Sequence, residues 1–464
     1  MYRYECSEPK VLNGLNFTNL ESFGIYGLFG RYNIVIPFDQ EVNIFIGENG
    51  LGKTTILNCL YYVLKKKFSQ LAEVHFSGIR IVFKNRKVYE ITKADVLAYN
   101  KKINRIRERY DEEFFDNVLL DIGISKNMLY HLGDDRLDDL ARSIARIERV
   151  PFYVARKYLY NYMQQDLGNR VKNHVKGDYH KVEQLSKAIS ELINERIIYL
   201  PTYRRIENDF GSLQIRDSNL NDSEMLIRFG MSDVQSSIDG ILTKIKELAM
   251  QGYNAMTGIL LKQYTEGDDF SSEPVSDVNI ETVKIVLARL GNQIEDEHKN
   301  KIMEILKSQD FYTLKYLHLR NLLQKLISTY DLQRKYDDRI KCFVSTCNKY
   351  LNDKCLYYNL SDLTLDVLVE GVSDNVIKLT QLSSGEKQIV SLFSKLYLES
   401  EEESIVIIDE PELSLSINWQ QMLLPDVMRS QNCKLLLTVT HSPFIFENEF
   451  DMDAREMRAH MTKQ

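Results

Sequence analysis

The sequence predicts an α/β protein: a core sheet flanked by helices, an antiparallel β subdomain and an inserted helical lobe. Three observations carry that expectation. A short apolar run, Val42-Asn43-Ile44-Phe45-Ile46, leads through a glycine-rich octet into an apolar-periodic helix from Thr55. Near the end of the chain, Ile405-Val406-Ile407-Ile408 and Leu435-Leu436-Leu437-Thr438-Val439 have the continuous apolar texture of strands buried on both faces. Between these ends no proline occurs from Thr202 to Glu273 or from Val275 to Glu410, so long helices are permitted there.

Length and composition bound the reading. At 464 residues, 44% hydrophobic and 27% charged, the chain has the makeup of an ordinary globular protein of two or more lobes. A net charge of −7 gives no overall sign of nucleic-acid binding, although it leaves room for a local basic patch. The six cysteines are scattered without a CxxC pair, and no histidine stands near Cys342, Cys347 or Cys355 at zinc-ligand spacing. A cytoplasmic location fits these thiols. No signal-type run opens the chain and no apolar stretch is long enough to span a bilayer, so no membrane association is expected.

The first element of chemistry is the octet Gly47-Glu48-Asn49-Gly50-Leu51-Gly52-Lys53-Thr54. Gly-x-x-x-x-Gly-Lys-Thr between strand and helix is the pattern of a phosphate-binding P-loop. Glycines let the backbone turn tightly and aim its N–H groups at phosphate oxygens, where the helix N-terminus adds positive potential. Gly47, Asn49, Gly50, Gly52, Lys53, Thr54 and Thr55 are the candidate contacts to ATP. Lys53 would reach the β- and γ-phosphates and the Thr54 hydroxyl would bind Mg²⁺.

Around it, Leu12 to Phe38 reads as short strands broken at Gly24, Gly27 and Gly30, and Ile79–Phe83 with Lys87–Ile91 as a hairpin. Phe29 and Tyr32 are candidates to stack on adenine, with an ordinary place in the sheet as the plainer assignment. The chain divides into 1–97, the first half of the core; 98–196, a charged helical insert; 197–350, a return strand and helical region; and 351–464, the second half of the core. Within 142–181, nine Lys/Arg against three Asp/Glu are interleaved with Phe152, Tyr153, Tyr158, Tyr160 and Tyr162. That mixture suits a single-stranded nucleic-acid groove, with a helical arm whose tyrosines turn inward and whose basic residues are solvated as the plainer assignment. Ile197–Leu200 reads as a strand returning to the core sheet. Val234, Ile238, Ile241, Ile245 and Leu248 form one amphipathic stripe, and Leu319, Leu322, Leu326 and Tyr330 another. Leu363–Val369 and Val376–Leu379 flank Gly371 and Asp374 as a second hairpin.

The second block of chemistry starts at Leu382-Ser383-Ser384-Gly385-Glu386-Lys387-Gln388, opening an apolar helix. Ile405–Ile408 then ends in Asp409-Glu410-Pro411-Glu412, the Walker B pattern: Asp409 would hold Mg²⁺ through water, and Glu410 would orient the attacking water as general base. Leu435–Thr440 ends in His441, and Leu413-Ser414-Leu415-Ser416 lies between.

In this order the elements resemble an ABC-type ATPase head of the SMC-like kind. Leu382 to Gln388 is similar to the family's LSGGQ signature, Leu413 to Ser416 occupies the D-loop position, and His441 matches the switch histidine that senses the γ-phosphate. The resemblance implies that Ser383, Ser384, Gly385 and Glu386 of one copy complete the P-loop site of another, so that a homodimer or higher homo-oligomer sandwiches ATP with Glu410 and His441 catalytic. No Q-loop glutamine emerges.

The P-loop at Gly47 and the signature at Leu382 stand much farther apart than in a transporter domain, and no long heptad region marks a long-arm SMC. An OLD-type nuclease would continue past His441 into a Toprim domain, whereas here the sequence runs only to Gln464. Tyr199 to Glu207, Leu382 to Gln388, Glu410 to Ser416, Trp419-Gln420 and Ser442 to Phe446 resemble the ATPase subunit of Septu-type antiphage systems. That family implies a separate HNH nuclease partner, antiviral defence, and no nuclease activity in this chain alone, because its eight histidines lack ββα-metal spacing. An SMC-like DNA-repair or DNA-sensing ATPase and a nucleotide-sensing scaffold with marginal hydrolysis are the other readings.

Overall fold

The computed structural model describes residues 18–48, 50–104, 134–147, 156, 177–201, 230–266, 279–291, 294–369, 376–399, 401–430 and 432–463. Asn49, most of the basic and aromatic run 142–181, Thr202 to Glu207, and Gly371 with Asp374 lie outside the described residues.

The chain opens with β1 (Leu20–Leu28) and β2 (Tyr32–Pro37), an antiparallel pair. It then enters β3 (Val42–Ile46) and the helix α1 (Lys53–Leu64). β4 (Gly78–Phe83) and β5 (Val88–Thr92) form the expected hairpin, and Arg86 at its tip takes the left-handed φ of 63° that a tight turn requires. Two helices follow, α2 (Asp134–Ile147) and α3 (Tyr179–Leu192). Val182, Leu185 and Ile189, which share one face of α3, are buried. β6 (Arg196–Leu200) does return to the core sheet.

The helical region comprises α4 (Met231–Glu266), α5 (Ile280–Arg289), α6 (Asp296–Lys307) and α7 (Leu317–Cys347). Val234, Ile238, Ile241 and Ile245 face the main core, and Leu326 and Tyr330 anchor a separate small one. Next comes a three-stranded antiparallel sheet of β7 (Lys354–Asn359), β8 (Thr364–Val369) and β9 (Val376–Ile377). The last part holds α8 (Ser384–Tyr397), β10 (Ser404–Asp409), α9 (Ile417–Met428), β11 (Cys433–Thr440), β12 (Ala454–Glu456) and β13 (Met461–Lys463).

The fold is mixed α/β. A parallel sheet runs in the order β12-β3-β11-β10-β6, and an antiparallel sheet in the order β13-β2-β1-β4-β5. Because strand side chains alternate between faces, each central strand of the parallel sheet feeds two cores. Val406, Ile408, Ile198, Leu200 and Leu436 enter one, while Ile405, Ile407, Tyr199, Leu435 and Val439 enter the other. α1 packs on the second face through Ile56, Leu57 and Leu60. α8 packs on the first through Ile389, Val390 and Phe393. The P-loop helix and the signature helix therefore lie on opposite faces of one sheet.

Candidate nucleotide-binding site

The loop after β3 is built for close backbone approach. Gly50 and Gly52 have φ of 86° and 79°, in the left-handed region that favours glycine. A Cβ on Gly52 would sit 2.8 Å from the Phe29 ring, so a side chain there would meet both strain and a clash. Gly52 is the N-cap of α1, has no capping side chain, and no acidic residue stands in the first turn. The first backbone N–H groups of α1 therefore keep their positive potential free for an anion. Thr54 is exposed and Thr55 half-buried at this end.

Lys53 is 6% exposed and bent back over the loop. Its ammonium donates to the carbonyls of Gly47 at 2.7 Å and Glu48 at 2.9 Å, and contacts Nε2 of His441 at 2.5 Å. Burial pulls its pKa down, opposed by the carboxylates of Glu410, Asp409 and Glu412. Three acids and a histidine from the ends of two neighbouring strands thus converge on the P-loop lysine. Parallel strands explain this: β3, β11 and β10 all deliver their C-terminal ends to the same edge.

At the end of β10, Asp409 is 2% exposed. Glu410 adopts φ 51° immediately before Pro411, and its N–H donates to the Val439 carbonyl at 2.8 Å. Such a backbone in a non-glycine residue costs on the order of 1–3 kcal/mol. Its carboxylate lies 3.8 Å from Nε2 of His441. Glu412 turns the other way: its two oxygens accept from the His441 N–H and the Thr440 hydroxyl, each at 2.8 Å.

The signature opens α8 as a capping box. The Ser383 hydroxyl accepts from the Glu386 N–H at 3.4 Å, and Glu386 accepts from the Ser383 N–H at 2.7 Å. Lys354 of β7 reaches both Glu386 oxygens at 3.0 Å. Burial raises the Glu386 carboxyl, but the Ser383 N–H and Lys354 outweigh it and hold the pKa below its ordinary value. Ser383 and Ser384 are exposed, whereas Glu386, expected among the nucleotide contacts, is 5% exposed and committed to the cap. Gly385 is buried against the D-loop: a Cβ there would stand 2.6 Å from the Ser414 carbonyl oxygen. Lys53, Asp409, Glu410 and His441 come together; Ser383, Ser384 and Gly385 stand with Ser414 instead.

Several supporting residues carried no role in the sequence reading. Lys354 lies in a strand whose distance from Glu386 along the chain hides the pairing. Glu412 was legible only as part of an acidic run. The tail after His441 adds β12 beside β3 and β13 beside β2, with Met457 fully buried against Gly47 and Arg458 paired to Glu48 at 2.6 Å. Three-residue strands carry no readable periodicity. Phe29 follows the end of β1 in a turn, 46% exposed with φ 54°; Tyr32 is half-buried in β2 and pairs with Leu28.

Comparison with known proteins bears on the same core. A family model described as the AAA ATPase domain matches residues 29–446. Among solved structures, an SMC head bound to the C-terminal winged-helix domain of ScpA matches at 10% identity and TM-score 0.33, covering 96% of this chain and 97% of that one. A Pyrococcus furiosus SMC head with an extended coiled coil, bound to the C-terminal domain of ScpA, matches at 12% identity and TM-score 0.35, covering 96% of each. No curated protein matches the sequence. Among the described residues no helix is long and apolar enough to cross a membrane. The chain belongs to the AAA ATPase domain family.

Proposed function

We propose that the protein binds and hydrolyses ATP at sites shared between two copies of the chain. The observation that carries this is the convergence of Lys53, Asp409, Glu410 and His441 at one edge of the parallel sheet, under a helix N-terminus free of acids. The residues fit the nucleotide and its metal. Gly50 and Gly52 open the backbone, the start of α1 carries no capping side chain, and the Thr54 hydroxyl and Asp409 would hold Mg²⁺, which when bound neutralises phosphate charge.

In this reading the γ-phosphate takes over contacts that Lys53 now makes to Gly47, Glu48 and His441. Glu410 accepts the proton of the attacking water, and His441 hydrogen-bonds the transferring group. Such catalysis rests on positioning and charge rather than covalent chemistry. The exposed Ser383 and Ser384 sit on the opposite face of the sheet from α1, so each copy would present its signature to the other's P-loop about a two-fold axis.

The test is phosphate release by the intact chain and by Glu410→Gln. The variant is expected to bind ATP as wild type and to lose about 10²–10⁴-fold in turnover, the usual loss for a positioned base. Normal turnover would remove Glu410 from the role. Mixing two inactive variants, Lys53→Ala and Ser384→Arg, should restore up to about a quarter of wild-type activity, since half the dimers then hold one intact site of two. No restoration would argue against shared sites.

Beyond the ATPase, we propose that nucleotide state controls a separate HNH nuclease in an antiphage system. The support is the sequence runs at Glu410 to Ser416, Trp419-Gln420 and Ser442 to Phe446. Purified with such a nuclease, the complex should cleave DNA in a nucleotide-dependent way, and Glu410→Gln should alter that dependence; the chain alone should not cut.

A further inference from the structure

Resting on the ATPase reading above, we infer that Glu412 is a positioning residue, which ties the switch histidine to the Walker B turn without taking part in the chemistry. Its Oε1 accepts the backbone N–H of His441 and Oε2 accepts the Thr440 hydroxyl, each at 2.8 Å. The same hydroxyl accepts from the Ser442 N–H at 3.0 Å. Ser442 in turn donates its own hydroxyl to Gln420 Oε1 at 2.6 Å. The Gln420 amide closes the circuit by donating to the Leu415 carbonyl at 3.0 Å.

One ring of hydrogen bonds therefore links three segments: the turn after β10, the end of β11 and the first turn of α9. Each segment alone is awkwardly placed. Glu410 and Ser414 both have left-handed φ, 51° and 64°, and His441 follows the last residue of its strand. The ring fixes the backbone of His441, whose Nε2 stands 2.5 Å from Lys53 and 3.8 Å from Glu410. Thr440 is fully buried and Gln420 is 9% exposed, which keeps water from that side of the ring, while the Glu412 bond to the His441 N–H lies at the exposed end. Gly385 abuts the Ser414 carbonyl of the same turn, so the start of α8 touches the segment that the ring holds.

A positioning role and a chemical role differ in what a glutamine would do. In Glu412→Gln the amide oxygen still accepts from His441, and the amide N–H₂ donates to the Thr440 oxygen while that hydroxyl turns to the Ser442 carbonyl, 3.4 Å away. Geometry survives and charge is lost. Displacing a catalytic group by about 1 Å costs on the order of 10²-fold in rate.

The experiment measures kcat, ATP affinity and amide exchange at 438–442 in the full chain for wild type, Glu412→Gln and Glu412→Ala, with thermal melting to show that each folds. Expected results are a kcat lowered about 10²-fold in Glu412→Ala, with ATP affinity within about threefold of wild type, and near-normal kcat in Glu412→Gln. The His441 amide should exchange at least about tenfold faster in Glu412→Ala only. Equal loss in both variants would assign the carboxylate a chemical role and overturn the inference, as would a fully active Glu412→Ala. The exchange measurement stands apart from turnover. If wild type did not hydrolyse ATP, the functional reading would fail while an unchanged or accelerated His441 amide still decided whether Glu412 holds it.

Discussion

The Lys53 ammonium donates to the carbonyls of Gly47 at 2.7 Å and Glu48 at 2.9 Å, and its nitrogen stands 2.5 Å from Nε2 of His441. The P-loop lysine is thus held by the residue that would sense the γ-phosphate, and a bound triphosphate would have to part them. His441→Ala is expected to leave ATP affinity within a few-fold of wild type and to lower turnover by about 10²-fold, the scale of removing one preorganised donor. Equilibrium binding of a fluorescent ATP analogue beside phosphate release makes the comparison. Affinity and turnover falling together would place His441 in ground-state binding instead.

Packing at the D-loop dictates a glycine at position 385 of the signature. Gly385→Ala would bring a methyl to 2.6 Å from the Ser414 carbonyl and 3.2 Å from the Trp419 ring. Overpacking of this kind typically costs about 1–3 kcal/mol. The backbone of the D-loop must then move, so turnover should fall as well. A thermal melt superimposable on that of wild type, with full activity, would show that the D-loop yields freely.

The signature cap carries a pH dependence of definite sign. Glu386 is depressed in the folded state, since the Ser383 N–H and Lys354 outweigh the upward push of burial. The stabilisation is therefore complete above the unfolded-state value, about 4.3, and is lost as pH falls through the lower folded value. Denaturant unfolding from pH 7 to 3 should show a shallower acid loss for Glu386→Gln than for wild type, with the two converging at the acid end. Parallel curves would mean that the cap contributes nothing.

Away from the site, Arg289 joins α5 to α7 and the three-stranded sheet. Its Nη2 donates to both oxygens of Asp337 at 2.7 Å each, Nη1 reaches Gln333 at 2.5 Å and Nε the Leu360 carbonyl at 2.9 Å. Tyr358 donates to the same Asp337 at 2.6 Å, and the two charged side chains are 5% and 0% exposed. Asp337→Ala strands a buried guanidinium and should cost about 3–5 kcal/mol, read as a lower urea midpoint. A joint replacement of Arg289 and Asp337 by leucine should recover much of that loss. Equal destabilisation by the single and double variants would contradict this.

Much of the core was legible because strand and helix periods differ and because each chemical motif sits where a strand ends. Ile405 to Ile408 and Leu435 to Val439 read as buried strands, and they are the two central neighbours of the parallel sheet. The octet from Gly47 needed only its flanking strand and helix to be understood. The hairpins at 78–92 and 364–377 followed from alternation. The partner of each strand was less accessible. β6 and β10 pair with the whole helical region between them in the chain, and β12 reaches β3 from the far end. Nothing in a three-residue strand announces that.

By itself the sequence determined which residue types stand at each strand end, and hence that a lysine, two acids and a histidine were available for phosphate chemistry. Tertiary structure decided which of them meet. It set α1 and α8 on opposite faces of one sheet, turned Glu386 inward to Lys354, and closed the Glu412 ring around His441. The physical reason is that local patterns record burial and backbone preference, which are properties of neighbours along the chain. Hydrogen-bond partners far apart in the chain are selected only when the sheet order brings their strand ends to one edge.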